Sequence, residues 1–502
     1  MLPFLSFFPL AQITPAPQPQ SSPPPIEVIV PAPEGVPTPK VPREIIQSHE
    51  VRPLPGQLDD VPVFNSNSPE VVRTEGILLS TFPPNGKRSP SAHLNFSFQG
   101  RFDIFSHHIA RAKTPEEART LFFGILVHNP TNQPVTVRVL QSATYLARPH
   151  APYIKLPDYQ EDPHGTVYAG PGSRIVNDVL RGRRQGSFPS SLTIPPRQSR
   201  MLLNLPIPVG KRVPSSNTRS TLARLSSSGR VYVASLAMFA PVEFIEVEPV
   251  EPLGETEDLE STKTIKTVER VPRLEEWQDL LVNADLAGPR DRAPTSPDAP
   301  LNRFFPNWYL YGRVSGVAKG SLWSGKATDS PSVDYLTIPG PGEAFSYGIS
   351  TLPRGTLGTG QVQSAEMLAR YPDTAYQAHG NYGIQYSLAL PLYNPSSRFQ
   401  RVAIALQTPV KEDQPREGLR FLDPPDNRVF YRGTIRIRYK DEANFTRQRY
   451  VHVVQKRGQQ GEALIELDIK PRDRKPVEID LVYPPDSTPP QILTIRNLNS
   501  TY

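Results

Sequence analysis

HGNYGIQYSLALPLYNPSSRFQRVAIALQTP, residues His379–Pro409, is the stretch on which the fold turns. Ile384, Tyr386, Leu388, Leu390 and Leu392 alternate with Gln385, Ser387, Ala389, Pro391 and Tyr393, a period of two that lays one row of side chains on a core. Asn394, Pro395, Ser396 and Ser397 supply turn residues, after which Val402, Ile404 and Leu406 resume the alternation. The stretch reads as a hairpin of two β-strands folded about an Asn-Pro corner. Outward from it, LFFGILVHNPTNQPVTVRVL (Leu121–Leu140) repeats the scheme around Asn129-Pro130-Thr131. Each corner is followed by a matching motif, Ile194-Pro195-Pro196-Arg197 in one case and Ile469-Lys470-Pro471-Arg472 in the other. Asn129 to Arg197 is 68 positions and Asn394 to Arg472 is 78, so the second copy carries the longer loop. The expected fold is mainly β: two Ig-like or jelly-roll-like β-sandwich units at 44–244 and 301–502.

Composition agrees with this class. In 502 residues there are 60 prolines and no cysteine, which disfavours a mainly helical chain and excludes disulfides, thiolate metal sites and a cysteine nucleophile. The net charge of +6 comes from 55 basic residues interspersed with 49 acidic ones. No basic stripe or recognition motif stands out, so nucleic acid is not an expected partner. Met1–Gln12 is an apolar run without a basic n-region, the first basic residue being Lys40; it is expected to be the remnant of an export signal. With the proline-rich segment that follows, it makes 1–43 a disordered or extended spacer. Residues 245–300 read as an acidic, proline-interrupted linker in which Leu274, Trp277, Leu280 and Leu281 mark one face of a short helix, expected to dock on a neighbouring domain or, as the alternative, on a protein partner. No segment reaches the roughly 20 apolar residues of a membrane-spanning helix.

AGPGSRIVNDVLRG, LAGPRDRAPT, RYPDTAYQAHGNYGIQYSLALPLYN and YPPDSTPPQILTI together resemble a cyanobacterial family of β-rich, secreted-looking proteins whose domain function is unknown. The resemblance runs from Val51 to Leu498. It implies an exported protein of the periplasm or outer cell envelope, and it brings no catalytic residues with it.

Several constellations carry candidate chemistry. Trp308, Tyr311, Trp323, Tyr371, Tyr376 and Tyr382, with amides and carboxylates between them, have the composition of a sugar-binding groove on loops of the second unit. Core packing is the alternative use of the same rings. Gly170-Pro171-Gly172 before Ser173 and Arg174 makes a turn with Ser173 capping a helix to Leu180, where an anion would be held; a plain capped turn explains it more readily. Arg432, Arg436 and Arg438 share one strand face and form either an anion-binding patch or ion pairs with Glu462, Glu466 and Asp468. His107 and His108 are adjacent on a strand and point to opposite faces, so no metal site is expected, and no cofactor either. Glu366 and Asp373 are the carboxylates available to a glycan hydrolase or lyase. The leading expectation is a non-catalytic envelope protein that binds or organises a glycan, peptidoglycan or outer-membrane component. A glycan-active enzyme and a structural subunit or adaptor are the alternatives.

Overall fold

The computed structural model describes residues 42–247, 264–299 and 309–500. The apolar start, most of the proline-rich spacer, the acidic stretch 248–263 and Trp308 lie outside the described residues. Among the described residues the protein is mainly β, with 48% strand and two α-helices. Among the described residues no helix is long and apolar enough to cross a membrane.

The strands expected on either side of the central corner form at Gln385–Tyr393 and Gln400–Gln407. They do not pair with each other, so the hairpin reading is corrected. Gln385–Tyr393 lies against Arg474–Val482 in an eight-stranded sheet, whereas Gln400–Gln407 lies between Ala463–Ile469 and Gln491–Asn497 in a five-stranded one. At the earlier corner, too, the flanking strands do not pair with each other, although both lie against the strand at 215–239 in a twelve-stranded sheet. Leu121–His128 pairs with Ser199–Ile207, and Val135–Leu146 pairs with Ser191–Ile194.

The asparagines explain why neither corner closes as a hairpin. Asn394 donates its side-chain amide to the carbonyls of Arg398 (2.7 Å), Ile469 (3.0 Å) and Lys470 (3.0 Å), and its Oδ1 accepts from the Ser396 N–H (2.9 Å). Asn129 donates to Gln133 (2.7 Å), Ile194 (3.0 Å) and Pro195 (3.1 Å) and accepts from the Thr131 N–H (2.9 Å). Each amide thus ties its own corner to the distant return strand, satisfying backbone groups that a two-residue hairpin would have paired across the turn. Both side chains are fully buried.

The two halves of the sequence share sheets. Pro62–Ser66 pairs in parallel with Phe98–Ala112 and antiparallel with Ser315–Lys319, joining early and late strands into one sheet of twelve. Arg43–Gln47, Glu50–Arg52 and Gln57–Leu58 pair with strands at 419–423, 344–349 and 322–326, so the start of the expected first unit is built into the sheets of the second. Ser215–Phe239, a 25-residue strand, bends at the register shift between Ser227 and Val231; one part pairs with Phe98–Ala112 and the other with Leu121–His128.

Helix α1 (Pro171–Leu180) packs against strands from both halves, with nine of its ten residues buried. Arg181 and Asp162 pair at 3.2 Å, and Arg183 and Asp178 at 2.8 Å, fastening its C-terminal end. Ser173 does not cap the helix as expected: Gly170 occupies the N-cap position with a φ of 86°, and the buried Ser173 hydroxyl has no partner. The sequence reading placed the cap where Gly-Pro-Gly had already begun the helix. Helix α2 (Leu274–Asn283) buries Trp277, Leu280 and Leu281 against Ile77, Phe122 and Leu236 of the first half. The face proposed for an external partner is therefore covered by the chain itself.

Candidate functional site

Strands Pro62–Ser66 and Ser315–Lys319 end beside the segment 378–382, and these ends enclose a cavity of about 190 Å³. That is far more than the ~30 Å³ share of one liquid water and is on the scale of a single small ring. Asn65, Asn67, Tyr311, Arg313, His379, Tyr382 and Lys411 line it together with nearby backbone.

Each side chain is positioned by its own local structure. Asn65 and Asn67 stand two apart on extended chain, hence on one face. The Asn67 N–H donates to the Val314 carbonyl at 2.9 Å, which holds the two chain segments together. Both asparagines are buried, and the Oδ1 of each has no hydrogen-bond partner. Tyr311 donates its hydroxyl to the Pro353 carbonyl and sits 4.7 Å from the His379 ring, centroid to centroid. Tyr382 donates to the Ser487 carbonyl at 2.8 Å and stacks on Tyr483 at 6.2 Å. Gly380 permits this placement, since a Cβ there would lie 2.4 Å from the Tyr382 ring.

Burial, with a smaller push from Lys411, lowers His379 to about 4, so its imidazole is neutral at neutral pH. Lys411 stands exposed at the mouth, yet the protein around its ammonium lowers its pKa as well, chiefly by desolvation. Its Nζ donates to the Tyr311 hydroxyl at 3.3 Å and lies 5.0 Å from the centre of that ring. Arg313 is engaged by Glu70 and by Asp291 at 3.9 Å. The cavity thus brings aromatic rings and cationic donors together, with no carboxylate in its lining.

Residues 49–497 match the family described as a protein of unknown function, DUF3370. The chain belongs to that family. The match spans nearly the same residues as the resemblance seen in the sequence, and no curated protein matches the chain.

Of the aromatic residues expected to build a groove in this DUF3370 protein, Tyr311 and Tyr382 line the cavity. Trp323 and Tyr371 belong to the core. Trp323 is 6% exposed, donates to the Pro55 carbonyl at 2.9 Å and stacks on Tyr386, while Tyr371 bonds the Ala92 carbonyl at 2.7 Å. Tyr376 lies outside the cavity lining, half-buried with the Arg370 guanidinium 3.9 Å over its ring.

The candidate anion sites are occupied from within. A Cβ at Gly172 would meet Asp486 Oδ2 at 3.0 Å, so this carboxylate fills the place at the start of α1 that an external anion was expected to take. Arg174 instead lies 3.9 Å over the Tyr145 ring and bonds the His150 carbonyl. Arg436 pairs with buried Asp480 at 3.1 Å, and Arg438 pairs with Glu478 and with Asp480 at 3.4 Å. The ion pairs foreseen for this face form with a different strand, since Arg474–Val482 is the neighbour and Glu466 and Asp468 face Arg401. Arg432 sits 5.6 Å over the Tyr153 ring.

His107 bonds the Ser220 hydroxyl (2.8 Å) and His108 that of Ser66 (2.9 Å), and among the described residues no cluster of three metal-ligating side chains occurs. Glu366 is exposed on Ala365–Arg370, and Asp373 is held by Arg290 at 2.8 Å, which draws its carboxyl below the usual range. Neither lines the cavity. Asn65, Asn67 and Lys411 escaped the sequence reading. Two asparagines at i and i+2 inside an otherwise apolar strand, VFNSN, were the available signal.

Proposed function

We propose that this is a non-catalytic protein of the cell envelope, exported to the periplasm or outer envelope, that holds one sugar ring of a glycan in the Asn67–Tyr311 cavity. The observation that carries the reading is a cavity on the scale of one small ring, with Tyr311, His379 and Tyr382 in its lining beside two cationic side chains and no carboxylate. Export rests on the apolar N-terminal run and the family resemblance. The reading of two related β-sandwich units rests on the matched asparagine corners. A binding role is preferred over hydrolysis because Glu366 and Asp373 lie away from the cavity and Asp373 is committed to Arg290.

The experiment is a titration of the protein with envelope glycan fragments and monosaccharides, followed by calorimetry and ligand-observed NMR. Tyr311→Ala and Tyr382→Ala are expected to weaken binding by roughly tenfold or more, consistent with the loss of an aromatic face. Tyr376→Ala, outside the cavity, should leave affinity unchanged. Equal affinity in all of these variants would remove the cavity from the account.

A further inference from the structure

We infer that Asn85 is a site of spontaneous covalent modification, where deamidation yields aspartate and isoaspartate with Gly86 supplying the attacking backbone nitrogen; the inference is independent of the sugar-binding reading above. Asn85 is the only asparagine in the sequence followed by glycine, so the nitrogen after it is not shielded by a Cβ. Both residues are exposed, at the two central positions of a turn that the Lys87 N–H closes on the Pro84 carbonyl at 3.3 Å. Gly86 has a φ of 71°, and a Cβ built on it would meet nothing within 4 Å. Among the described residues neither the Asn85 side chain nor the Gly86 N–H has a hydrogen-bond partner. Nothing in the fold therefore holds the side-chain amide away from that nitrogen or ties up its proton.

The asparagines that precede serine, the next smallest neighbour found after one, are placed differently. Asn65 and Asn67 are buried, Asn65 within the strand Pro62–Ser66, and the side chain of Asn499 accepts the Arg401 N–H at 2.7 Å. At Asn85 the Gly86 nitrogen gives up its proton and bonds to Cγ, the Cγ–Nδ2 bond breaks and ammonia leaves, closing a succinimide ring. Water then opens the ring at either carbonyl: opening at Cγ gives aspartate, and opening at the main-chain carbonyl gives isoaspartate, whose chain runs on through Cβ and Cγ. The balance is one water consumed and one ammonia released. Either product places a carboxylate ahead of Lys87 and Arg88. Arg88 holds the end of α2, with its N–H on the Val282 carbonyl at 2.9 Å and its guanidinium on the Asn283 carbonyl at 3.3 Å, so the altered turn adjoins that contact.

The full chain is incubated folded at mildly alkaline pH beside a urea-unfolded sample, and both are followed by cation exchange and peptide-mapping mass spectrometry until the unfolded sample has converted. The expected result is an acidic form that accumulates in the folded protein, with its mass change confined to the peptide holding Asn85 and isoaspartate exceeding aspartate there. Its rate should rise with pH, because the attack needs the Gly86 nitrogen deprotonated. Asn85→Gln should lose the acidic form, since the longer side chain must close a larger ring, and Gly86→Ala should slow it several-fold. Asn85 left intact in the folded protein overturns the inference. Another asparagine of the folded protein converting first also overturns it. Aspartate without isoaspartate rules out the succinimide, and with it the part assigned to Gly86.

Discussion

The corners at Asn129 and Asn394 make the same bonds in the same order, yet the chain between corner and return strand differs. From Asn129 to the Ile194 carbonyl is 65 positions; from Asn394 to the Ile469 carbonyl is 75. The first interval holds α1, whereas the second holds the hairpin Val429–Lys440 and Thr446–Lys456. The two insertions meet, since Tyr159–Glu161 from the first pairs with Thr446–Lys456 from the second, and α1 packs on Val429–Lys440. Lys411 of the cavity also lies in the second interval. Arg197 and Arg472, with φ of 58° and 56°, mark the return in both copies and donate their N–H groups to Thr131 and Ser396. The comparison teaches where sequence freedom lies in this fold. The side chains that close a corner are kept to the bond, and the insertions between them are spent on joining the halves and shaping a site.

The comparison breaks most sharply at the asparagines themselves. Asn129→Ala and Asn394→Ala should each destabilise the protein by roughly 2–4 kcal/mol, because each leaves several buried carbonyls without a donor. Urea unfolding checks this, and near-equal losses are expected; a large loss from one and none from the other would mean that the corners are alike in shape only. The hydroxyls sharpen it further. The single hydroxyl hydrogen of Thr131 and of Ser396 lies within reach of two acceptors, the asparagine Oδ1 (2.7 and 2.8 Å) and the carbonyl of Gln133 or Arg398 (2.8 and 2.9 Å). Thr131→Ala and Ser396→Ala should each cost about 1 kcal/mol.

The smallest effect separates the copies by pH. His128 precedes the first corner, bonds the Ser199 hydroxyl at 3.0 Å and has its pKa lowered from 6.5 by burial, whereas Tyr393 precedes the second. A histidine whose folded pKa is depressed contributes its stability above pH 6.5 and loses it as the pH falls through the folded value. Amide exchange at Thr131 and Gln133 should therefore gain a few-fold on that at Ser396 and Arg398 between pH 7 and about 5, and His128→Gln should abolish the difference. Equal change at both corners would contradict it.

Much of the strand pattern was legible. The alternation Tyr386, Leu388, Leu390, Leu392 is observed as a buried row, and the Trp277 face is buried as its spacing predicts. The corner itself was visible, but its pairing was not, because the partner of an Asn-Pro turn lies 75 positions away and no local pattern announces it. The aromatic set divided for the same reason. Trp323 and Tyr371 look like Tyr311 in composition, and only the positions of Pro55 and Ala92, hundreds of residues distant, turn them into core. Asp486 at the start of α1 is likewise a long-range partner that the Gly-Pro-Gly turn cannot name.

The central functional claim is that the Asn67–Tyr311 cavity holds a sugar ring. A crystal of the full chain soaked in the monosaccharide that binds most tightly in the titration tests it most directly. The account predicts ring density in the cavity beside Tyr311 and Tyr382. Ordered water alone in the cavity at saturating sugar would contradict it.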